Sequence, residues 1–189
     1  LDGVDVMSFY HDTYQNFVNY AINGIDKLHF GGELGVEARL TPTITLNAAA
    51  AVGRYYYDSK QSAVITVDNS ASVLGRQLIY AENFRLPSTP MEAYSFAINY
   101  RSPKFWFVSL TGSYFDKSYL SMNPLRRTWD ALQFAVPKSD TYNAIFDQTK
   151  FDAQYTVDFF GGYSWKLPKD FEINKKSTFL VFNVGVNNI

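Results

Sequence analysis

Three carboxylates, Glu33, Glu37 and Asp158, are by type the residues most suited to acid–base chemistry. Glu33 and Glu37 lie four positions apart on one face of a predicted strand, about 13 Å apart at the rise of an extended chain. Glycosidase carboxylates lie roughly 5 to 9.5 Å apart, so this spacing argues against that reaction. His11 and His29 lack clustered partners, and cysteine is absent, so we predict no metal site and no cofactor. No nucleophile elbow or phosphate loop occurs, and we predict no catalytic residue and no enzyme.

The composition limits the class of protein. With 17 basic and 18 acidic residues, the chain has no electrostatic surface for nucleic acid. No apolar run approaches the 18 or so residues of a membrane helix. Aromatic residues make up 17% of the chain, which favours β-structure and also suits the aromatic girdles of membrane barrels.

Residues 93–116 contain two alternating segments around Ser102-Pro103, and the rest of the chain is organised around them. Side chains of a strand point alternately to its two faces, so the pattern predicts an antiparallel hairpin with one apolar and one polar face. The apolar positions are Tyr94, Phe96, Ile98, Tyr100, Trp106, Val108, Leu110 and Tyr114. Similar patterns predict strands over residues 4–10, 28–40, 44–57, 151–166 and 177–188, which makes seven strands in all.

The connections differ in length in a regular way. Short proline-containing turns follow residues 40, 101 and 166, and long polar connections cover residues 11–27, 58–90 and 117–150. We expect an ordered loop or strand extension in the first of these, and some β-structure at residues 63–67 and 77–80 in the second. In an up-and-down meander, all long connections share one end, as in outer-membrane barrels.

Charged side chains fall on the face opposite the apolar one. A water-filled lumen solvates such charges, whereas a dry core does not. We expect the carboxylates in this set to pair with the cations. The set comprises Glu33, Glu37, Arg39, Arg101, Asp158 and Lys166.

These patterns predict an all-β fold, the wall of an antiparallel up-and-down transmembrane β-barrel. Seven strands cannot close a barrel, and open edges are not viable in lipid, so other residues or another chain must complete the wall. The alternative is a soluble β-sandwich that binds carbohydrate, whose apolar face would be buried between two sheets.

Aromatic and basic residues are the candidates for binding. We interpret Tyr56, Tyr100, Trp106, Tyr114, Tyr163 and Trp165 as membrane girdle residues. Candidates for ligand contact are Tyr55 and Tyr57 on the lumen face, together with Tyr119, Arg126, Arg127 and Trp129 in the last long connection. The latter four suit an anionic or sugar-like ligand. Alternatively, that connection is a solvated loop whose basic pair faces lipopolysaccharide.

Four segments together resemble a known family. The first is IDKLHFGGELGVEARLTPTITLNAAAAVGRYYY (residues 25–57), in which Gly31, Gly32, Glu33 and Glu37 precede a short turn and a small-residue strand that ends in aromatics. SFAINYRSPKFWFVSLTGSYFDKSYLSMNP, FDAQYTVDFFGGYSW and FLVFNVGVNNI follow in order. In this order they resemble late barrel strands of TonB-dependent outer-membrane receptors of the Bacteroidetes type.

The resemblance implies a 22-stranded barrel with an N-terminal plug, in the outer membrane of a Gram-negative bacterium. Residues 1–189 would supply about seven of its last eight strands, as part of one barrel domain without the plug, the earlier strands and the final strand. The receptor would import a scarce nutrient such as a siderophore or glycan. Its partners would be outer-membrane lipid and lipopolysaccharide, the rest of the barrel and plug, TonB through the N-terminal part, and in some receptors a surface lipoprotein. A passive outer-membrane porin is the alternative within the membrane class.

Overall fold

The structure is a computed structural model that describes residues 3–11, 14–70, 72–87, 89–133, 135–171 and 176–189. Antiparallel strands dominate the described chain. They are β1 (Gly3–His11), β2 (Asn16–Ile25), β3 (Lys27–Arg39), β4 (Ile44–Tyr57), β5 (Gln61–Val67), β6 (Val73–Ile79), β7 (Glu92–Arg101), β8 (Trp106–Asp116), β9 (Gln154–Lys166) and β10 (Phe179–Val186). Two helices, α1 (Trp129–Leu132) and α2 (Asp140–Phe146), lie in the last long connection. None of the helices described here is long and apolar enough to cross a membrane.

Six strands form one sheet in the order β10-β9-β8-β7-β4-β3. The predicted hairpin is confirmed as β7 and β8, with Ile98 opposite Leu110 and Asn99 opposite Ser109. This register keeps apolar side chains on one face and polar side chains on the other, because a slip of one residue would reverse every side chain. The all-β, antiparallel character predicted from alternation is therefore confirmed. Of the last turn, residues 172–175 lie outside the described residues.

The prediction of seven strands in one sheet is wrong. Strand β1 belongs to a second, four-stranded sheet in the order β1-β2-β5-β6, so the large sheet has six strands in the described chain. The reason is β2, in the stretch interpreted as a loop or strand extension. Its buried Val18, Tyr20 and Ile22 alternate with Asn19 and Asn23, and it supplies the backbone partners of β1.

The long connections fold together. Two compact units divide the chain: unit 1 comprises Leu1–Phe30, Gly53–Thr89 and Ser118–Phe151, and unit 2 comprises Gly31–Val52, Pro90–Lys117 and Asp152–Ile189. Apart from Pro90 and Lys117, all three predicted long connections lie in unit 1, and the three short turns lie in unit 2.

Unit 1 has its own hydrophobic core. Val18, Tyr20, Ile65 and Ile79 are fully buried on one face of the small sheet. Met122 and Leu125, from the last long connection, pack against this face. Burial of apolar area contributes about 25 cal/mol per Å², so the connection is held on the sheet by its own apolar residues.

Two successive side-chain hydrogen bonds connect this core to α1. The Tyr20 hydroxyl donates to Gln77 Oε1 at 2.9 Å, and Gln77 Nε2 donates to Asp130 Oδ2 at 2.8 Å. Burial, with a further contribution from the negative charge of Asp130, raises the pKa of Tyr20 from 10.0 to about 12. The phenol therefore stays protonated in the folded chain at pH values where an unfolded tyrosine has ionised.

We expect Tyr20→Phe to be less stable than the natural chain below pH 10 and more stable than it near pH 11.5. Below pH 10 the variant loses about 1 kcal/mol with the hydrogen bond to Gln77. Because the pKa of Tyr20 is higher in the folded chain than in the unfolded one, the free energy of unfolding falls as pH rises from 10 to 12. By pH 11.5 this loss amounts to about 2 kcal/mol in the natural chain, and it does not occur in the variant, which lacks the phenol. Unfolding free energies measured from pH 8 to 11.5 should therefore cross. Parallel curves would contradict the raised pKa.

Candidate functional site

A ladder of hydrogen bonds crosses the polar face of the six-stranded sheet. Asn47 Nδ2 donates to Glu37 Oε2 at 3.1 Å, and Asn99 Nδ2 donates to Asn47 Oδ1 at 2.8 Å. Ser109 Oγ then donates to Asn99 Oδ1 at 2.7 Å. A side-chain amide both donates and accepts, so these residues carry one chain of bonds across β3, β4, β7 and β8.

We expected the carboxylates of this face to form ion pairs with its cations. In the structure, two of them accept hydrogen bonds from neutral groups instead. Glu37 accepts from Asn47, and Asp158 Oδ1 accepts from the backbone N–H of Asn188 at 2.8 Å. In the described part of the chain, the one ion pair joins Lys117 to Glu92. The reason is register, because Arg101 lies opposite Phe107 and Lys166 opposite Phe179.

The charged residues of this face are therefore mostly open to solvent. Glu33, Glu37, Arg39, Arg101 and Lys166 are exposed, and Asp158 is half-buried. Arg39 and Arg101 line a cavity of about 660 Å³ together with Asn47, Asn99 and Ser109. Guanidinium and amide groups in such a cavity donate hydrogen bonds to a hydroxyl-rich or anionic solute.

Small residues border the ladder. The lining of a cavity of about 360 Å³ includes the small residues Gly35, Ala49, Ala51, Ala93 and Ser95, together with larger ones such as Glu33 and Phe115. Because the glycine, alanine and serine side chains project little, the polar face has free space here beside the ladder. We call this surface the small-residue lane.

The two lumen-face tyrosines have different environments. The Tyr55 ring folds over Gly53, where any Cβ would collide with it, and lies 5.1 Å from the His29 ring. Tyr57 instead packs against the core of unit 1, and its backbone N–H donates to Phe84 O at 2.9 Å. Tyr55 therefore fits a ligand contact better than Tyr57.

Arg127 holds the last long connection together. It is 3% exposed, and its guanidinium donates to Tyr80 O at 3.2 Å and to Phe146 O at 3.0 Å. The cation lies 3.9 Å from the Phe84 ring centroid and 5.0 Å from that of Phe146. Phe146 ends α2, so the guanidinium also satisfies a helix carbonyl and the helix dipole. Burial lowers the pKa of Arg127 to about 10, so the group stays charged at neutral pH.

The predicted cluster in this connection divides into two pairs. Tyr119 is buried like Arg127, and the Arg85 guanidinium lies 4.7 Å from its ring centroid. Arg126 and Trp129 are exposed, Trp129 by 63%. Only the second pair is accessible to a ligand, and Arg126 lines a small cavity of about 180 Å³.

Sequence reasoning missed Gln148, one of the side chains that join two of the long connections. Gln148 Nε2 donates to Arg85 O at 2.8 Å and to Leu120 O at 3.0 Å, and its Oε1 accepts from the Arg85 backbone N–H at 2.9 Å. These partners are far away in the chain, so no local pattern signals the contact.

Two rows of aromatic residues border the apolar face of the large sheet. In the first row, Tyr114 lies opposite Tyr94 and Tyr155, and the Tyr94 and Tyr114 ring centroids are 6.2 Å apart. In the second row, Trp106 lies opposite Tyr163 and 4.8 Å from the Tyr100 ring. Four predicted girdle residues thus lie in these rows. Tyr155, which is 77% exposed, was missed because only the register places it beside Tyr114.

The remaining girdle candidates, Trp165 in unit 2 and Tyr56 in unit 1, are not members of the rows. Trp165 is exposed two residues beyond Tyr163, and Tyr56 meets Phe30 edge-on with centroids 6.3 Å apart. The eight-residue separation of Trp106 and Tyr114 corresponds to about 27 Å along the strand. At a tilt of about 40° this becomes roughly 20 Å across a membrane, comparable with the apolar band of outer-membrane barrels.

The band between the rows is apolar and open. Phe96, Ile98 and Leu110 are exposed in this chain, and no second sheet of the described residues buries them as the sandwich alternative requires. No group of three metal-binding side chains occurs among the described residues. Comparisons of the chain with protein-family models, with curated proteins and with solved structures found no match.

Proposed function

We propose that this chain is part of the barrel wall of a TonB-dependent outer-membrane receptor of the Bacteroidetes type, which imports a scarce nutrient. The observation that carries the proposal is the pair of aromatic rows on either side of an exposed apolar band. A face of this kind is stable against lipid, and its aromatic borders suit the two headgroup regions. The resemblance of four collinear segments to that family supports the more specific assignment.

The opposite face has the properties of a lumen wall. The amide ladder satisfies its own polar groups, and the cations Arg39, Arg101 and Lys166 remain exposed, which water in a lumen permits. In this proposal β3, β4 and β7–β10 cross the membrane. Their outer face contacts lipid and lipopolysaccharide, and the remaining strands, the plug and the contact with TonB come from outside residues 1–189.

We infer that unit 1 contacts the nutrient. Its exposed Arg126 and Trp129 supply a cation and a stacking surface, while Arg127 and the buried core keep their connection folded. Transport itself requires the whole receptor, and these residues bind and orient the solute.

The test is to locate the two faces in outer membranes of cells that make the full-length protein. Single cysteines replace Phe96, Ile98, Val108 and Leu110 in one set, and Ser95, Asn99, Ser109 and Thr111 in the other. We expect a lipid-soluble thiol probe to label the first set and a water-soluble reagent to label the second. If the first set resists both reagents, the apolar face is a dry core and the barrel proposal is wrong. Uptake that persists after the proton-motive force is dissipated would favour a passive channel instead.

A further inference from the structure

The last long connection forms a small cavity within unit 1. Its volume is about 180 Å³, and the charged residues in its lining are Arg126, Arg127 and Asp147. A water molecule occupies about 30 Å³ of the liquid, so the cavity has room for one small solute. We call it the Arg126 cavity.

Part of the wall is held by side chains that already have their partners. Gln148 makes three hydrogen bonds to the backbone of Arg85 and Leu120. Arg127 donates to two backbone carbonyls and lies close to two phenylalanine rings. These contacts fix the shape of the wall before a solute arrives, which lowers the entropic cost of binding.

Two charged groups of the lining remain available to a solute. Arg126 and Asp147 are both exposed, and neither side chain forms an ion pair or a hydrogen bond with the other described residues. A guanidinium binds a carboxylate through two parallel hydrogen bonds, and a carboxylate accepts hydrogen bonds from an ammonium group. Since the two side chains do not neutralise each other, one solute that carries both charges can pair with both.

The same lining disfavours solutes that carry a single charge. A simple anion would pair with Arg126 but would be repelled by Asp147, because like charges in close contact are unfavourable. A simple amine would pair with Asp147 but would be repelled by Arg126 and by the buried cation of Arg127. A zwitterion meets a complementary charge at each end.

The apolar part of the lining suits an aliphatic group better than a sugar ring. Phe84 is the one aromatic side chain among the described lining residues. It is 7% exposed, and the Arg127 guanidinium lies 3.9 Å from its ring centroid, so the ring offers little free surface for stacking. Leu120, Met122 and Ile145 supply aliphatic surface instead.

We propose that the Arg126 cavity binds an α-amino acid with an aliphatic side chain. Its carboxylate would lie against Arg126 and its ammonium group against Asp147, with the side chain against Leu120, Met122 and Ile145. An α-amino acid carries both charges on one carbon atom, which suits a cavity of this size. The inference rests on the proposed function in one respect, because the bound amino acid would then be the imported nutrient.

The test measures the binding of L-leucine to the full-length protein in detergent micelles by equilibrium dialysis at neutral pH. Two analogues each lack one charge: 4-methylpentanoate lacks the ammonium group, and 3-methylbutylamine lacks the carboxylate. We expect saturable binding of leucine with a Kd of about 1 mM or tighter. Both analogues should bind at least about tenfold more weakly, because each loses a charge-assisted hydrogen bond.

Two variants assign the charges to their residues. Asp147→Asn should weaken leucine binding to the level of 4-methylpentanoate, and Arg126→Gln should weaken it to the level of 3-methylbutylamine. Asp140→Asn removes a carboxylate from the first turn of α2, outside the lining, and should leave the affinity for leucine unchanged. Proteolysis of residues 117–150 at the natural rate would show that the variants keep the fold.

The outcomes separate this inference from the proposed function. Equal affinity for leucine and 4-methylpentanoate would make the cavity a site for anions, and equal affinity for leucine and 3-methylbutylamine a site for cations. Either result overturns the inference, as does the absence of saturable leucine binding, and none of them bears on the barrel wall. If the cysteine labelling shows a dry apolar face while leucine binds with the expected specificity, the proposed function fails and the binding site stands.

Discussion

Ile98→Arg is expected to abolish folded protein in the outer membrane, whereas Ala97→Arg is expected to be tolerated. Ile98 lies in the middle of the apolar band, opposite Leu110 and Leu46. An arginine on the lipid face at the bilayer midplane costs about 2–4 kcal/mol, which is a large share of the stability of a typical domain. Ala97 is the next residue and points to the polar face, beside the space of the small-residue lane.

Because Ile98 and Ala97 are adjacent, this pair of variants tests the effect of the face to which the arginine points at nearly the same position in the chain. The amount of folded receptor is measured as heat-modifiable protein in isolated outer membranes. Equal levels for the two variants would show that neither face meets lipid. A severe loss for Ala97→Arg with normal levels for Ile98→Arg would mean that the polar face is the buried one.

Arg127→Ala is expected to destabilise unit 1 by about 3 kcal/mol. The substitution leaves the carbonyls of Tyr80 and Phe146 without their charged donor and removes the cation from between Phe84 and Phe146. Hydrogen bonds to charged groups contribute about 1.5–3 kcal/mol each, and the cost of burying the guanidinium offsets part of this gain. Limited proteolysis on intact cells should therefore cut residues 117–150 much faster in the variant.

Two controls define the mechanism. Arg126→Ala removes an equal charge from an exposed neighbour and should change the proteolysis rate little, corresponding to a stability change of about 0.5 kcal/mol or less. Arg127→Lys should not restore resistance, because a single ammonium cannot serve both carbonyls and stack between two rings. Resistance equal to the natural chain in Arg127→Ala would show that Arg127 does not hold the connection together.

The local sequence pattern was sufficient to predict the two faces of β7 and β8, because strand alternation has a period of two residues and needs no distant partner. It failed at β2, where asparagines alternate with Val18, Tyr20 and Ile22, so the segment read as polar. The charges illustrate a similar limit. Alternation predicts the strand face that they share, but their partners depend on the register between strands, which placed Arg101 beside Phe107 instead of a carboxylate.

By itself, the sequence determined that this is an antiparallel β-protein with two-faced strands, short turns in one part and long connections in another. Tertiary structure alone decided that β1 belongs to the small sheet, and that Tyr57, Tyr119 and Arg127 serve packing. The physical reason is the separation along the chain of the residues that interact. Alternation and turn chemistry act between neighbours, whereas the contacts of Arg127 with Phe84 or of Phe105 with Phe179 join residues that meet only when the strands have paired.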